Sequence, residues 1–198
     1  MNETKTVGIL LFNEVEVLDF AGPFEVFSLA AALSITAKPF SVKTISEDGN
    51  LITARNGLKV YPDYSFSNHP PLDIVIIPGG YGAEETEINN PNVISWIQKQ
   101  HASAKITASV CTGALLLAKA GILDGRKATT HWMDINRLEK EFPAVQVERN
   151  VKFVDEGTIF TSGGISAGIN LSFYLLTKLL GKEAAVQTAE RMEYDIVL

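Results

Sequence analysis

Two hydrophobic rhythms alternate along this chain. In one, apolar residues follow each other without a break. In the other they recur every three or four positions. Thr6-Val7-Gly8-Ile9-Leu10-Leu11-Phe12 is of the first kind, and predicts a strand covered on both faces. Asp73-Ile74-Val75-Ile76-Ile77 and Lys105-Ile106-Thr107-Ala108-Ser109-Val110 read the same way. Phe40 to Ile45 predicts another strand, and Leu51 to Val60 a hairpin turning at Asn56-Gly57, a type I′ signal. Lys127 to Thr130, Val145 to Val154 and Thr158 to Thr161 complete the strands, the last two flanking an Asp155-Glu156-Gly157 turn.

Helical spacing fills the intervals. Gly22-Pro23 is expected to open a helix that carries Phe24, Val26, Phe27, Leu29, Ala30 and Leu33. Asn90-Pro91 is a cap followed by proline, starting a helix to about Ala102. Further helices are expected from Thr112 to a stop at Gly121, from Asp134 to Phe142, from Ser162-Gly163-Gly164 to Leu180, and from Lys182 to Met192. Strands alternating with helices predict an α/β fold, a mostly parallel sheet with helices on both faces. Ligands bind beyond the carboxyl ends of such strands. No repeat or linker divides residues 1–198, which are expected to form a single domain.

Composition narrows the function classes. The chain is 46% hydrophobic and 20% charged, ordinary for a globular protein. A net charge of -6 without any Lys/Arg cluster argues against nucleic acid as a partner. No apolar run is long enough to span a membrane, and Met1 to Lys5 leads into a strand without the design of a signal peptide. One cysteine excludes an internal disulfide and suits the reducing cytoplasm.

That cysteine, Cys111, falls between a strand and a helix, with small residues Ser109 and Gly113 two positions to either side. This is the pattern of a nucleophile elbow, with sulfur in place of hydroxyl. The following helix N-terminus is expected to favour thiolate, although a lone cysteine also serves as apolar filler. Three further features fall at strand ends. Gly79-Gly80-Tyr81-Gly82 offers backbone N–H groups that, with the N–H of Thr112, would form an oxyanion hole around Gly80, or else is a plain turn. Asp19, at the end of a loop, is a proton donor for sulfur or substrate, or a helix cap. His131, in Thr129-Thr130-His131-Trp132, orients the thiol or packs on Trp132. Phe20, Gly79, Tyr81, His131, Trp132 and Ile165 are the candidate pocket, suited to a small, partly apolar substrate. His69 and His101 read as surface residues, and no histidine or cysteine spacing suggests a metal or other cofactor.

Ile77-Pro78-Gly79-Gly80, Ser109-Val110-Cys111-Thr112-Gly113, Ala128-Thr129-Thr130-His131-Trp132 and Ser162-Gly163-Gly164-Ile165-Ser166-Ala167-Gly168 occur in that order. With them the chain resembles the DJ-1/PfpI (ThiJ) superfamily, most closely its isonitrile hydratase-like branch. The resemblance implies a flavodoxin-like three-layer sandwich related to class I glutamine amidotransferase domains, and a homodimer. It places the family nucleophile on Cys111 and the facing acid on Asp19. Thr112 matches the hydratase-like branch, where many protease-like relatives carry histidine, so a peptidase is disfavoured. The activity it implies is cysteine-dependent addition of water to a small electrophilic carbon, isonitrile to N-substituted formamide. Glyoxalase-like or hydrolytic chemistry is the alternative, as is a ligand or redox sensor. Related sensor domains precede a DNA-binding region in transcription regulators, and a chain ending at Leu198 is expected to carry none.

Overall fold

The computed structural model describes residues 4–30 and 38–196. Leu33, the first three residues and Leu198, which entered the expectations above, lie outside them. The chain opens with strand β1 (Lys5–Leu10), helix α1 (Val17–Leu29) and strand β2 (Phe40–Ser46). A hairpin of β3 (Ile52–Thr53) and β4 (Lys59–Val60) follows, then β5 (Tyr64–Ser65) and β6 (Ile74–Ile77). Asn56 and Gly57 are left-handed, φ 59° and 90°, but the connection is not the expected two-residue type I′ turn: Arg55, Asn56 and Gly57 form a three-residue loop closed by the Ala54 N–H to the Leu58 carbonyl at 2.7 Å and the Gly57 N–H to the Ala54 carbonyl at 3.0 Å.

Next come α2 (Tyr81–Glu85), α3 (Pro91–Ser103), β7 (Ile106–Val110) and α4 (Gly113–Lys119). Asn90 caps α3 as expected, its side chain accepting from the Asn92 N–H at 3.0 Å. The last third holds β8 (Lys127–Ala128), α5 (Ile135–Glu141), β9 (Gln146–Val147), β10 (Phe153–Asp155) and β11 (Ile159–Ser162). Helices α6 (Ala167–Leu180) and α7 (Lys182–Arg191) close it.

Seven strands form one sheet in the order β10-β11-β7-β6-β1-β2-β5, parallel throughout except for β10. Helices α1, α6 and α7 pack together on one face, and α3 and α5 flank α4 on the other. This is the flavodoxin-like three-layer α/β sandwich. The central strands read as apolar because both faces are covered: Val7, Ile9, Val75, Ile77 and Ala108 are all buried.

The structure departs from several expectations. Helix α1 begins at Val17, not at Gly22-Pro23, and Pro23 lies inside it. The missing proline N–H leaves only the Asp19 carbonyl, four residues back, without its helical partner. The expected strand from Val145 to Val154 is two short strands, because Asn150 turns left-handed at φ 59°. Strand β8 stops at Ala128 because the Thr129 N–H donates to Thr161 Oγ1 instead of a ladder carbonyl. His69 and His101 are half-buried rather than surface residues. His69 Nε2 accepts the Trp96 indole N–H at 3.0 Å, and His101 Nδ1 is 2.9 Å from Thr107 Oγ1. Among the described residues no helix is long and apolar enough to cross a membrane.

Candidate active site

Strand β7 delivers five buried residues and then turns sharply at Cys111, whose φ is 57°. A left-handed non-glycine residue costs about 1–2 kcal/mol, so the surroundings must enforce it. They do so by close packing and by hydrogen bonds. A Cβ on Gly113 would stand 2.1 Å from the Ile77 carbonyl oxygen, and one on Gly79 would stand 2.4 Å from the Thr112 nitrogen. The end of β6 and the elbow therefore touch backbone to backbone, which only glycine allows. Thr130 Oγ1 donates to the Cys111 carbonyl at 2.8 Å, and the Cys111 N–H donates to the Gly163 carbonyl at 3.2 Å.

Asp19 reaches this elbow from the first turn of α1, on the opposite face from α4. It is a helical residue, correcting its expected place in a loop, and Glu16 occupies the N-cap. The carboxyl is fully buried. Its Oδ2 accepts the Gly79 N–H at 3.0 Å, while Oδ1 has no conventional hydrogen-bond partner among the described residues. The Cys111 thiol and the Ile165 N–H lie beside the carboxyl and favour its charged form. Burial outweighs them, and with the nearby charge of Glu16 it lifts the Asp19 pKa to about 7.

The thiol is also pushed up, against the expectation of a ready-made thiolate. Burial is the largest cause and the negative charge of Asp19 adds to it. The N–H groups of Thr112 and Ile165 pull the other way but do not compensate. Two acids in contact in a dry site cannot both ionise, so they titrate as one unit. The first proton leaves near neutrality and the second is held far above it. Around neutral pH the pair carries at most one negative charge, which moves to sulfur whenever the carboxyl takes the thiol proton.

The donor set also differs from the expected one. The Gly80 N–H is already committed to Thr112 Oγ1 at 2.9 Å, so it is not a free oxyanion donor. The backbone donors at the sulfur are those of Thr112 and Ile165. Ile165 was expected to contribute its side chain. Its left-handed backbone, φ 54°, at the end of Ser162-Gly163-Gly164 is what turns its N–H inward. The paired glycines after a strand were the available signal, since they let the loop double back before α6.

The expected pocket residues divide. Phe20 and Gly79 are buried with the elbow, whereas Tyr81, Trp132 and Ile165 are exposed, Trp132 by 77%. Arg55 lies over the Tyr81 ring at 5.5 Å. His131 points to Asp134, Nδ1 to Oδ2 3.6 Å, and its ring rests where a Cβ on Gly164 would be. None of its described contacts is with Cys111. The aromatic side chains thus form an open rim rather than an enclosing wall, with Met133 also exposed beside Trp132. Among the described residues no group of three His, Cys, Asp or Glu could hold a metal ion.

Comparison with known proteins agrees with the resemblance. The DJ-1/PfpI family profile matches residues 5–178. Isonitrile hydratase from Pseudomonas putida is 34% identical over 188 residues, 95% of this chain and 78% of the hydratase. The HTH-type transcriptional regulator GbdR of Pseudomonas aeruginosa is 28% identical over 96% of this chain, which spans only 51% of that regulator. A crystal structure of a ThiJ/PfpI family protein from Pseudomonas syringae has a TM-score of 0.87 at 24% identity, covering 99% of this chain and 77% of its own, a likeness of fold.

Proposed function

The chain belongs to the DJ-1/PfpI family, and we propose that within it this protein is a cysteine-dependent enzyme that hydrates a small electrophilic carbon, with an isonitrile as the substrate class. One observation carries the reading: a buried carboxyl with a pKa of about 7 lies against the thiol of a strained strand-to-helix elbow. Such a carboxyl is matched to proton transfer at neutral pH. The similarity to an isonitrile hydratase over most of both chains supports the choice of substrate.

In the proposed reaction the Cys111 sulfur bonds to the terminal isonitrile carbon as Asp19 takes the thiol proton. Asp19 then gives that proton to the same carbon, leaving a covalent thioformimidate. Water adds across the carbon–nitrogen double bond, its hydroxyl to carbon and a proton to nitrogen. Collapse expels the sulfur, the hydroxyl proton returns to the Asp19–Cys111 pair, and the product is the N-substituted formamide. The N–H groups of Thr112 and Ile165 stabilise negative charge on sulfur, and a well-placed donor of this kind is typically worth roughly 3 kcal/mol of barrier. Thr112 keeps the elbow in register through its hydroxyl.

The test is turnover of alkyl isonitriles and, as the glyoxalase-like alternative, of 2-oxoaldehydes, by wild type and Cys111→Ala. Formamide from the isonitriles, lost in Cys111→Ala, is the expected result. Formamide production that survives the substitution refutes the covalent scheme. Consumption of the oxoaldehydes alone moves the assignment to the second chemistry. A sensor role has its own support in the likeness to GbdR, and it is favoured if neither substrate is consumed. The homodimer and the cytoplasmic location belong to the same proposal, and light scattering in solution tests the former.

A further inference from the structure

One cavity shares no lining residue with the Cys111 elbow. A cleft of about 260 Å³ opens at the carboxyl ends of β1 and β2. Its floor is apolar, made by Leu11, Phe12, Ile52 and Val93, all buried. Its sides are Asn13, Ser46, Glu47, Asp48 and Glu87, and among the described residues none that lines it carries a positive charge.

Glu87 sets the chemistry of this cleft. It is only 8% exposed, an unusual place for a carboxyl without a cation. The Asn90 side-chain amide holds it beside Glu47, donating to Glu87 Oε2 at 3.0 Å and to Glu47 Oε2 at 2.8 Å. Asn92 occupies the other Glu47 oxygen at 2.6 Å. Among the described residues no donor reaches Glu87 Oε1. Burial raises the Glu87 pKa, the Asn90 amide opposes the rise and the charge of Glu47 adds to it. No three of these groups are placed to hold a metal ion. A cation with its own N–H donors and an apolar body would complement both the open Glu87 oxygen and the floor.

We infer that this cleft is a binding site for a small primary alkylammonium compound, its ammonium group donating to Glu87 Oε1 and its alkyl chain lying on Phe12 and Val93. The volume, near the lower end of the roughly 300–1,000 Å³ typical of ligand sites, limits the ligand to a few carbons. A quaternary ammonium has charge but no N–H to donate, and an alcohol has a donor but no charge. Neither meets both requirements. The site shares no lining residue with the Cys111 pair, so it stands whether or not the proposed hydration does.

The experiment is a titration of the full chain, followed residue by residue in ¹H–¹⁵N NMR spectra, with n-butylammonium, n-butanol and tetramethylammonium as probes. Saturable shifts at residues 11–13, 46–48 and 52 are expected with n-butylammonium. The other two probes should bind at least tenfold more weakly, and Glu87→Gln should weaken n-butylammonium at least tenfold. The wild-type comparison decides the matter even if the variant fails to fold. No saturation up to roughly 50 mM, saturation elsewhere on the protein, or equal binding of n-butanol overturns the proposal, as does unchanged binding by a folded Glu87→Gln variant.

Discussion

Replacing Asp19 by asparagine removes the buried carboxyl while keeping its shape and an oxygen to accept the Gly79 N–H. In the folded protein that carboxyl holds its proton to about pH 7, whereas its ordinary value is 3.8. Between these two values the folded state keeps a proton that the unfolded chain has lost. Stability contributed by Asp19 is therefore fully present below about pH 4 and falls as pH rises towards 7, then stays flat. At about 1.4 kcal/mol for each tenfold change in proton affinity, the loss amounts to roughly 4 kcal/mol. Asp19→Asn carries no such slope. Its stability relative to wild type should rise by roughly 4 kcal/mol between pH 4 and pH 8, read from urea unfolding midpoints at each pH. For a chain of this size that corresponds to about 8–16 °C in Tm. A constant offset, such as the cost of setting the new amide against the Ile165 N–H, cancels in the comparison. If the gap between variant and wild type is the same at both pH values, the carboxyl is not held protonated and the coupled pair is wrong.

Backbone contact at the elbow makes a contrast between two glycines. Gly79→Ala would set a Cβ 2.4 Å from the Thr112 nitrogen, and chemical denaturation should show a loss above about 3 kcal/mol. Gly57→Ala meets nothing within 4 Å and suffers only its φ of 90°, so about 1 kcal/mol is expected. Thr112→Val strands the buried Gly80 N–H; a cost of about 1–3 kcal/mol is expected, with Thr112→Ser close to wild type in the same assay. Trp96→Phe loses the indole bond to His69 while keeping a ring over Phe66, and should cost about 1 kcal/mol in urea unfolding.

The architecture was legible because it rests on burial. Strands β1, β6 and β7 are covered on both faces, so their sequences are apolar without interruption. The hairpin was legible because Asn56 and Gly57 are residues that tolerate left-handed backbone. The start of α1 was not, because Pro23 looks like a first-turn proline and its cost depends on one carbonyl that sequence does not reveal. At the site, the position of Cys111 followed from its small neighbours and its place after β7. Its proton affinity did not, since local signals favour thiolate whereas burial and Asp19, from a distant helix, oppose it. The loss of Gly80 as a free donor has the same origin: its N–H is claimed by a hydroxyl 32 residues away.

Sulfur that reacts by handing its proton to Asp19 leaves a signature in the alkylation rate of Cys111 by iodoacetamide across pH. In wild type the rate should rise around pH 7 and then level off, whereas Asp19→Asn should react far more slowly, with its rise displaced above about 8.5, the value of an ordinary thiol. Identical profiles for the two proteins, both rising near that ordinary value, would contradict this proton transfer.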